Sequence, residues 1–385
     1  MTPPPVPAVL AVGAWLKNTA CLLDAAGPHW SAMHGDLRDP QACQALDASA
    51  RHLAAQTAQP IQAIAHDLHP DFYSTRLALA LAQAWQISAI GVQHHHAHIG
   101  AVMAEHGLDQ PVIGLALDGV GLGTDGTAWG GELLRVSPSG WQRLGHVWPL
   151  ALPGGDVAAR EPWRMLASAL HAMGRGDEIH ARLVPTVQAS AVRMMETMLR
   201  KRLNCPTSTS AGRWFDAAAA ALGLHLHQQT EAQAAIALEQ EAAQWLQTAS
   251  ETALEAVRCD GIDTASPVLD LRPLLARLLD WPELDAARPA AAAWFHLALA
   301  QVLADWAAHA AQQAQCRVVC LGGGCFMNAI LTREVTTRLE QRGLRVYRPQ
   351  NNSCGDAALA LGQAWVVAQQ LRNHFSTSSE SSLCV

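Results

Sequence analysis

Lysine is almost missing from this chain. Lys17 and Lys201 are the only two among 385 residues, although Lys and Arg together number 26. Basic runs are missing too: Arg200-Lys201-Arg202 is the one triplet, and it reads as a solvated helix face. With a formal net charge of −7, the chain offers a polyanion such as tRNA little to grip, which disfavours nucleic acid as a partner but leaves small anions at single sites open. No apolar stretch reaches the ~20 residues that a membrane helix needs. The start, Met1-Thr-Pro-Pro-Pro-Val-Pro, has no basic n-region, so no secretory signal is expected. The nine cysteines include no C-x-x-C pair, which removes zinc-ribbon and thioredoxin-type motifs. Cys316, Cys320 and Cys325 read as small buried residues in a reducing cytoplasm. What is present is half apolar and only 15% charged, a globular composition with room for two or three domains.

Apolar patterning gives the order β-β-β-α-β-α-β-α for the first 108 residues. Strands fall at 7–15, 20–26 and 29–34, and a helix follows Asp39-Pro40. A strand at 61–65 ends in His66-Asp67-Leu68-His69-Pro70, a helix spans 74–86, and a strand over 87–92 feeds a histidine-rich helix. A similar order restarts at Pro111, with strands at 112–117, 127–136, 141–147, 317–321 and 345–347. A long Ala-rich helical insertion covers about 160–310, and a last helix covers 355–370. Two such units predict two facing lobes, 1–108 and 109–370, with a ligand cleft between them and a mobile tail over 371–385.

The densest chemistry is Gln93-His94-His95-His96-Ala97-His98. A helix starting near His94 puts His94 and His98 one turn apart on one face, where they could share a divalent metal, with His95 and His96 pointing elsewhere. The plainer alternative is a polar cap. Asp118 closes an apolar strand and could complete such a site; it could equally start a turn. The segment 118–126 carries Gly119, Gly121, Gly123 and Gly126, whose bare backbone could approach an anion. It lacks the P-loop and dinucleotide patterns. Lys17 and Asn18 lie in the first hairpin turn, where Lys17 could touch a phosphate or simply be solvated. Gly322-Gly323-Gly324 follows a buried strand and allows either a close ligand such as adenosine or a sharp corner. Asp216 could accept ribose hydroxyls, and Asp356 could cap the last helix or reach a metal.

His66-Asp-Leu-His-Pro-Asp-Phe-Tyr-Ser-Thr-Arg, the histidine run, Leu117-Asp-Gly-Val-Gly-Leu-Gly-Thr-Asp-Gly, Leu152-Pro-Gly-Gly-Asp-Val-Ala-Ala-Arg-Glu-Pro-Trp-Arg and Leu321-Gly-Gly-Gly-Cys-Phe together resemble the C-terminal catalytic module of HypF carbamoyltransferases, from about residue 8 to 370. That module is similar to the TsaD-type tRNA threonylcarbamoyl transferases. The resemblance implies an α/β, two-lobed actin/hexokinase/Hsp70-like ATPase fold, built from duplicated ribonuclease H-like units. It implies metal ligands at His94, His98, Asp118 and Asp356, holding iron or zinc. An adenine nucleotide (carbamoyl-adenylate, ATP or AMP) would contact Lys17, Asn18, Gly119, Gly121, Gly123, Gly212, Asp216 and Gly322–Gly324. It further implies a cytoplasmic enzyme of [NiFe]-hydrogenase maturation that carbamoylates the C-terminal cysteine of a HypE-type acceptor.

The acylphosphatase, C-x-x-C zinc-finger and YrdC-like segments of a full HypF are not in this sequence, so carbamoyl-adenylate would come from a source in trans. Ala357-Ala358 stand where the family has Gly-Gly. Phe326-Met327-Asn328-Ala329 stands for Phe-Gln-Asn-Arg, which bears on how the nucleotide is held. A tRNA threonylcarbamoyl transferase-like enzyme and a non-catalytic HypE-binding module are the alternative readings, and a homodimer is compatible with each.

Overall fold

A computed structural model describes residues 6–250 and 259–381. The first lobe opens with a meander of β1 (Val9–Ala11), β2 (Cys21–Asp24) and β3 (Gly27–Trp30). It continues with α1 (Pro40–Gln56), β4 (Ala63–Asp67), α2 (Tyr73–Trp85), β5 (Ser88–Val92) and α3 (His94–His106). Asp39 caps α1 by accepting from the Gln41 amide, and Pro40 sits in its first turn, the arrangement expected of a helix start.

The second lobe begins with β6 (Val112–Leu122), β7 (Ala128–Ser137), β8 (Gly140–Val147) and β9 (Leu150–Ala151). The insertion carries α4 (Val157–Arg160), α5 (Pro162–Ala172), α6 (Glu178–Leu183), α7 (Ala189–Lys201), β10 (Thr207–Ser208), α8 (Ala211–Ala221), α9 (Gln233–Leu246), β11 (Val268–Leu269), α10 (Arg272–Leu279) and α11 (Leu284–Gln313). The lobe closes with β12 (Val318–Gly322), α12 (Ala329–Gln341), β13 (Arg345–Tyr347) and α13 (Leu359–Ser381).

The sheet orders reveal a duplication. The first sheet runs β3-β2-β1-β4-β5, and the main path of the second runs β8-β7-β6-β12-β13, with β11 added beyond β8. In each, an antiparallel meander is followed by two parallel strands. Both crossovers are helical, as parallel neighbours require.

Burial divides the molecule into layers. Leu46, Leu53, Leu77 and Leu81 of α1 and α2 cover one face of the first sheet. Ile99, Val102 and Met103 of α3 and Leu361, Trp365 and Val366 of α13 fill the space between the sheets. The Ala- and Trp-rich insertion packs on the far face of the second sheet around Trp163, Trp214, Phe295 and Trp306. Gln363 of α13 ties the layers by accepting from the Gly13 amide at 3.0 Å and donating to the Gly13 carbonyl at 3.2 Å.

The strands expected at 7–15, 29–34 and 61–65 fall at 9–11, 27–30 and 63–67, and two further boundaries differ from the sequence reading. Strand β6 continues through Asp118 to Leu122, with a register shift between Leu117 and Gly121, so residues 118–122 are strand and the turn starts at Gly123. Gly-rich sequence suggested a loop, but pairing with β7 overrode it. The last helix continues past 370 to Ser381; Met1–Pro5 and Cys384 lie outside the described residues. No helix among the described residues is long and apolar enough to cross a membrane.

Helices α3 and α13 meet through glycine. A Cβ on Gly362 would lie 1.8 Å from the Ala97 carbonyl oxygen, whereas one on Gly119 meets nothing within 4 Å. Gly362→Ala is therefore expected to lower unfolding free energy by at least about 1–3 kcal/mol, read as a lower urea midpoint at unchanged m-value. Gly119→Ala should leave the midpoint in place. Equal midpoints for both variants would refute this account of the helix pair.

Candidate metal centre

Strand β5 ends at Val92, and the chain turns into α3 at Gln93. The Gln93 side chain caps the helix, accepting from the His96 amide at 2.8 Å. The helix therefore begins at His94, and His94 and His98 share a face. Both aim Nε2 at one atom: Asp118 Oδ2 lies 3.2 Å from His94 Nε2 and 2.9 Å from His98 Nε2. Asp118 is held from its other side, where Oδ1 accepts from the amides of Gly119 at 2.8 Å and Gly324 at 3.2 Å. Asp356, in a 3-10 turn before α13, brings Oδ1 to 3.5 Å from His94 Nε2 and 3.6 Å from His98 Nε2. One ligand atom from each of these four residues lies within 4.8 Å of every other.

The cluster is charged and nearly dry. Burial disfavours the imidazolium of His94, yet bonds to Asp118, Asp356 and Asp67 outweigh it and hold its pKa well above the ordinary histidine range. Burial likewise opposes the Asp118 carboxylate, and His94 and His98 hold its pKa well below the usual range. Such a group of ions is expensive to bury for stability alone. Two imidazole nitrogens and two carboxylates converging on a small volume match the donor set of zinc or ferrous iron. His95 and His96 differ: burial pushes the pKa of His95 well below its ordinary value and that of His96 down to about 3. Their rings lie beside Trp129 and Trp141.

The residues assigned to a nucleotide divide. Gly119 faces open space beside Gly212, whose Cβ would lie 3.3 Å from the Gly119 Cα. Lys17 reaches the same region: burial works against its charge, but Glu231, Asp356 and Asp118 raise its pKa. Its ammonium pairs with Glu231 at 2.9 Å, a partner on the opposite lobe that the sequence did not reveal.

Other glycines have packing roles. A Cβ on Gly121 would strike the His94 ring at 2.7 Å, and one on Gly123 would strike Trp129 Nε1 at 2.1 Å. A Cβ on Gly322 would press on the His98 carbonyl at 3.1 Å. Gly323 has φ +97, with the Leu117 carbonyl 2.3 Å from where a Cβ would be, and Gly324 backs Asp118. Of these positions, read as an anion cradle and an adenosine wall, Gly121, Gly322 and Gly324 make room for His94, His98 and Asp118, Gly123 for Trp129, and Gly323 for the Leu117 backbone. Asn18 is wholly buried. Its amide donates to the Val12 and Ala14 carbonyls and its oxygen meets His34, so it staples the hairpin rather than facing a ligand. Asp216 is also buried; Oδ1 accepts from Gln228 Nε2 at 3.0 Å, and Oδ2 lies 3.0 Å from Arg213 Nη2 as an ion pair without a hydrogen bond.

The sequence reading quoted Asp67 within its motif without giving it a role. It ends β4 directly opposite Val92 of β5 and accepts from His94 Nδ1 at 2.7 Å. A carboxylate closing the strand next to the one that leads into the histidines was the available signal.

The folded chain is thus a two-lobed α/β protein with a histidine–aspartate cluster where its lobes meet. Residues 4–105 match the family described as HypF Kae1-like domain. Residues 114–363 match Carbamoyltransferase, Kae1-like Domain, second subdomain. The chain belongs to the HypF family of carbamoyltransferases. It is 58% identical to a carbamoyltransferase HypF homolog of Cupriavidus necator, covering 94% of this chain and 92% of that one. It is 47% identical to carbamoyltransferase HypF2 of the same organism, covering 95% of this chain but 47% of that one. A crystal structure of full-length HypF in the phosphate- and nucleotide-bound form superposes with a TM-score of 0.83 at 28% identity, over 96% of this chain and 56% of that one. The chain therefore spans about half the length of the full-size relatives.

Burial pushes the Asp216 carboxyl up to about 6, against ~3.9 for a free aspartate. A raised pKa means that the folded state holds the proton more tightly. This stabilisation is complete below ~3.9 and disappears as pH rises through about 6. Asp216→Asn cannot titrate, so its stability relative to the natural chain should climb by about 2 kcal/mol between pH 4 and 7. Urea unfolding at several pH values measures it; a constant difference would show that Asp216 does not titrate there.

Proposed function

We propose that this chain transfers a carbamoyl group from carbamoyl-adenylate to the C-terminal cysteine thiol of a HypE-type acceptor, in the making of the cyanide ligands of [NiFe]-hydrogenase. The observation that carries the reading is the convergence of His94, His98, Asp118 and Asp356 at the lobe junction of a chain of this family. We read these four as ligands of an iron or zinc ion. When bound, such an ion would serve as a Lewis acid toward a carbamoyl or phosphate oxygen.

The protein's own groups supply positioning. Asp118 is fixed by two backbone amides and two imidazoles, so it adds no motion of its own to the site. Lys17 provides a mobile positive charge at the edge of the cluster, suited to the phosphate of the departing AMP. To take that anion it must release Glu231, a half-exposed pair of small intrinsic strength. Gly119 and Gly212 leave backbone bare beside Asp118, where a flat or bulky ligand can approach. No side chain need act as nucleophile, because the acceptor thiolate attacks the carbamoyl carbon directly. The buried walls exclude water from a labile mixed anhydride. With an acidic balance and one basic triplet, the chain is poorly equipped to hold tRNA.

The test supplies metal-loaded protein with carbamoyl-adenylate and a HypE-type acceptor and follows intact mass. One carbamoyl group on the acceptor, absent when its last cysteine is alanine, is the expected outcome; His98→Ala should slow transfer by 100-fold or more, on the order of the loss of a principal charge-stabilising group. An unmodified acceptor in the presence of bound metal would sink the proposal. Separately, Glu231→Gln should tighten AMP binding by about 2- to 5-fold, the equivalent of an exposed ion pair, while Lys17→Ala weakens it. Unchanged calorimetric affinities in both variants would remove Lys17 from the nucleotide site.

A further inference from the structure

Asp67 stands behind the cluster rather than in it. It is fully buried at the end of β4, and both carboxylate oxygens are engaged. Oδ2 accepts from His94 Nδ1 at 2.7 Å, and Oδ1 accepts from the His69 amide at 2.9 Å. Its backbone is pinned as well, since the Asp67 carbonyl accepts from Thr75 Oγ1 at 3.1 Å and lies 2.7 Å from His66 Nδ1. A carboxylate so anchored cannot swing toward Asp118. It can only fix the ring in front of it.

We infer that Asp67 is a positioning residue: it holds the Nδ1–H of His94 and thereby leaves Nε2 as the one nitrogen of that ring that can bind a metal. The inference rests on reading the cluster as a metal site. A ligating imidazole has two nitrogens, and which one is free is set by the hydrogen bond that the other makes. Among the described contacts, His94 has this anchor at Nδ1, whereas His98 makes its polar contacts through Nε2 alone. The two histidines are thus inequivalent: His94 is oriented from behind by a buried acid, His98 by the helix that carries it. An Asn at position 67 keeps the size but has an amide edge that can donate to Nδ1. That would move the ring proton to Nε2, where the metal must bind.

The experiment uses the full chain and zinc alone as the probe. Asp67→Asn should bind zinc about 10- to 100-fold more weakly, the effect typical of losing a histidine's outer partner, while circular dichroism shows an intact fold. In zinc-loaded natural protein, long-range ¹H–¹⁵N NMR should find His94 protonated at Nδ1 and metallated at Nε2; this second measurement decides the matter if the variant does not fold. Zinc affinity unchanged in folded Asp67→Asn, or a bare His94 Nδ1, overturns the inference. His98→Ala separates the two levels of failure. If it loses zinc while Asp67→Asn retains it, only the positioning role falls. If both retain it, the metal reading falls as well.

Discussion

One carboxylate oxygen, Asp118 Oδ2, receives two imidazoles from successive turns of α3, and much of the surrounding architecture exists to make that meeting possible. The helix must lie closer to the second sheet than side chains normally allow. Gly114 of β6 yields to Ile99, Gly121 of the same strand yields to the His94 ring, and Gly322 of β12 yields to the His98 carbonyl. On the other side, Gly362 of α13 yields to Ala97. Each absent Cβ removes a clash with α3, and together they seat it against β6 and β12 at near-backbone distance. A cluster of buried ions gains little stability from its own attractions once desolvation is counted. Its rigidity comes from this apolar and glycine packing, which overdetermines where the helix lies.

The duplication explains where the cluster sits. In both lobes the first strand of the meander is central, and a parallel strand lies beside it. Asp118 lies in the central strand of the second sheet, and the histidines come from the helix that follows the last strand of the first. Asp356 enters from the turn before α13, which crosses back to the first lobe and locks onto Gly13 through Gln363. Thr19 of the first hairpin adds a bond to the Ala357 carbonyl at 2.8 Å, one residue from Asp356. The centre is therefore assembled from both lobes, and a displacement of one lobe against the other would act on its geometry directly.

Strong periodic signals made the element order legible. Alternating apolar runs gave both meanders, and the spacing of His94 and His98 gave their shared helix face. The family resemblance added Asp118 and Asp356, which local sequence left ambiguous. Glycine was the least legible residue. The same missing Cβ serves a ligand, a ring or a neighbouring helix, and nothing at Gly121 or Gly322 distinguishes these uses before the chain folds. Asn18 misled for a similar reason: an amide in a turn can face outward or, as here, bridge two carbonyls beneath it. Asp67 and Glu231 were missed because their partners lie far along the chain, His94 across a strand pair and Lys17 across the lobes.

The four clustered histidines show how one turn of helix can place identical side chains in opposite surroundings. His94 and His98 face carboxylates, and around His94 these outweigh the cost of desolvation. His95 and His96 lie beside tryptophan rings; neither is bonded to a carboxylate, and the attraction of Asp118 for His95 is too weak to offset desolvation, so they stay neutral. Their Nε2 atoms have no hydrogen-bond partner, which a charged ring could not tolerate in that setting. Around the first pair, three carboxylates surround two rings. Protonating one ring leaves that group short of positive charge, and a divalent cation between neutral rings would supply more. The charge balance of the cluster thus argues in the same direction as its geometry, in support of the metal ligation proposed for these residues.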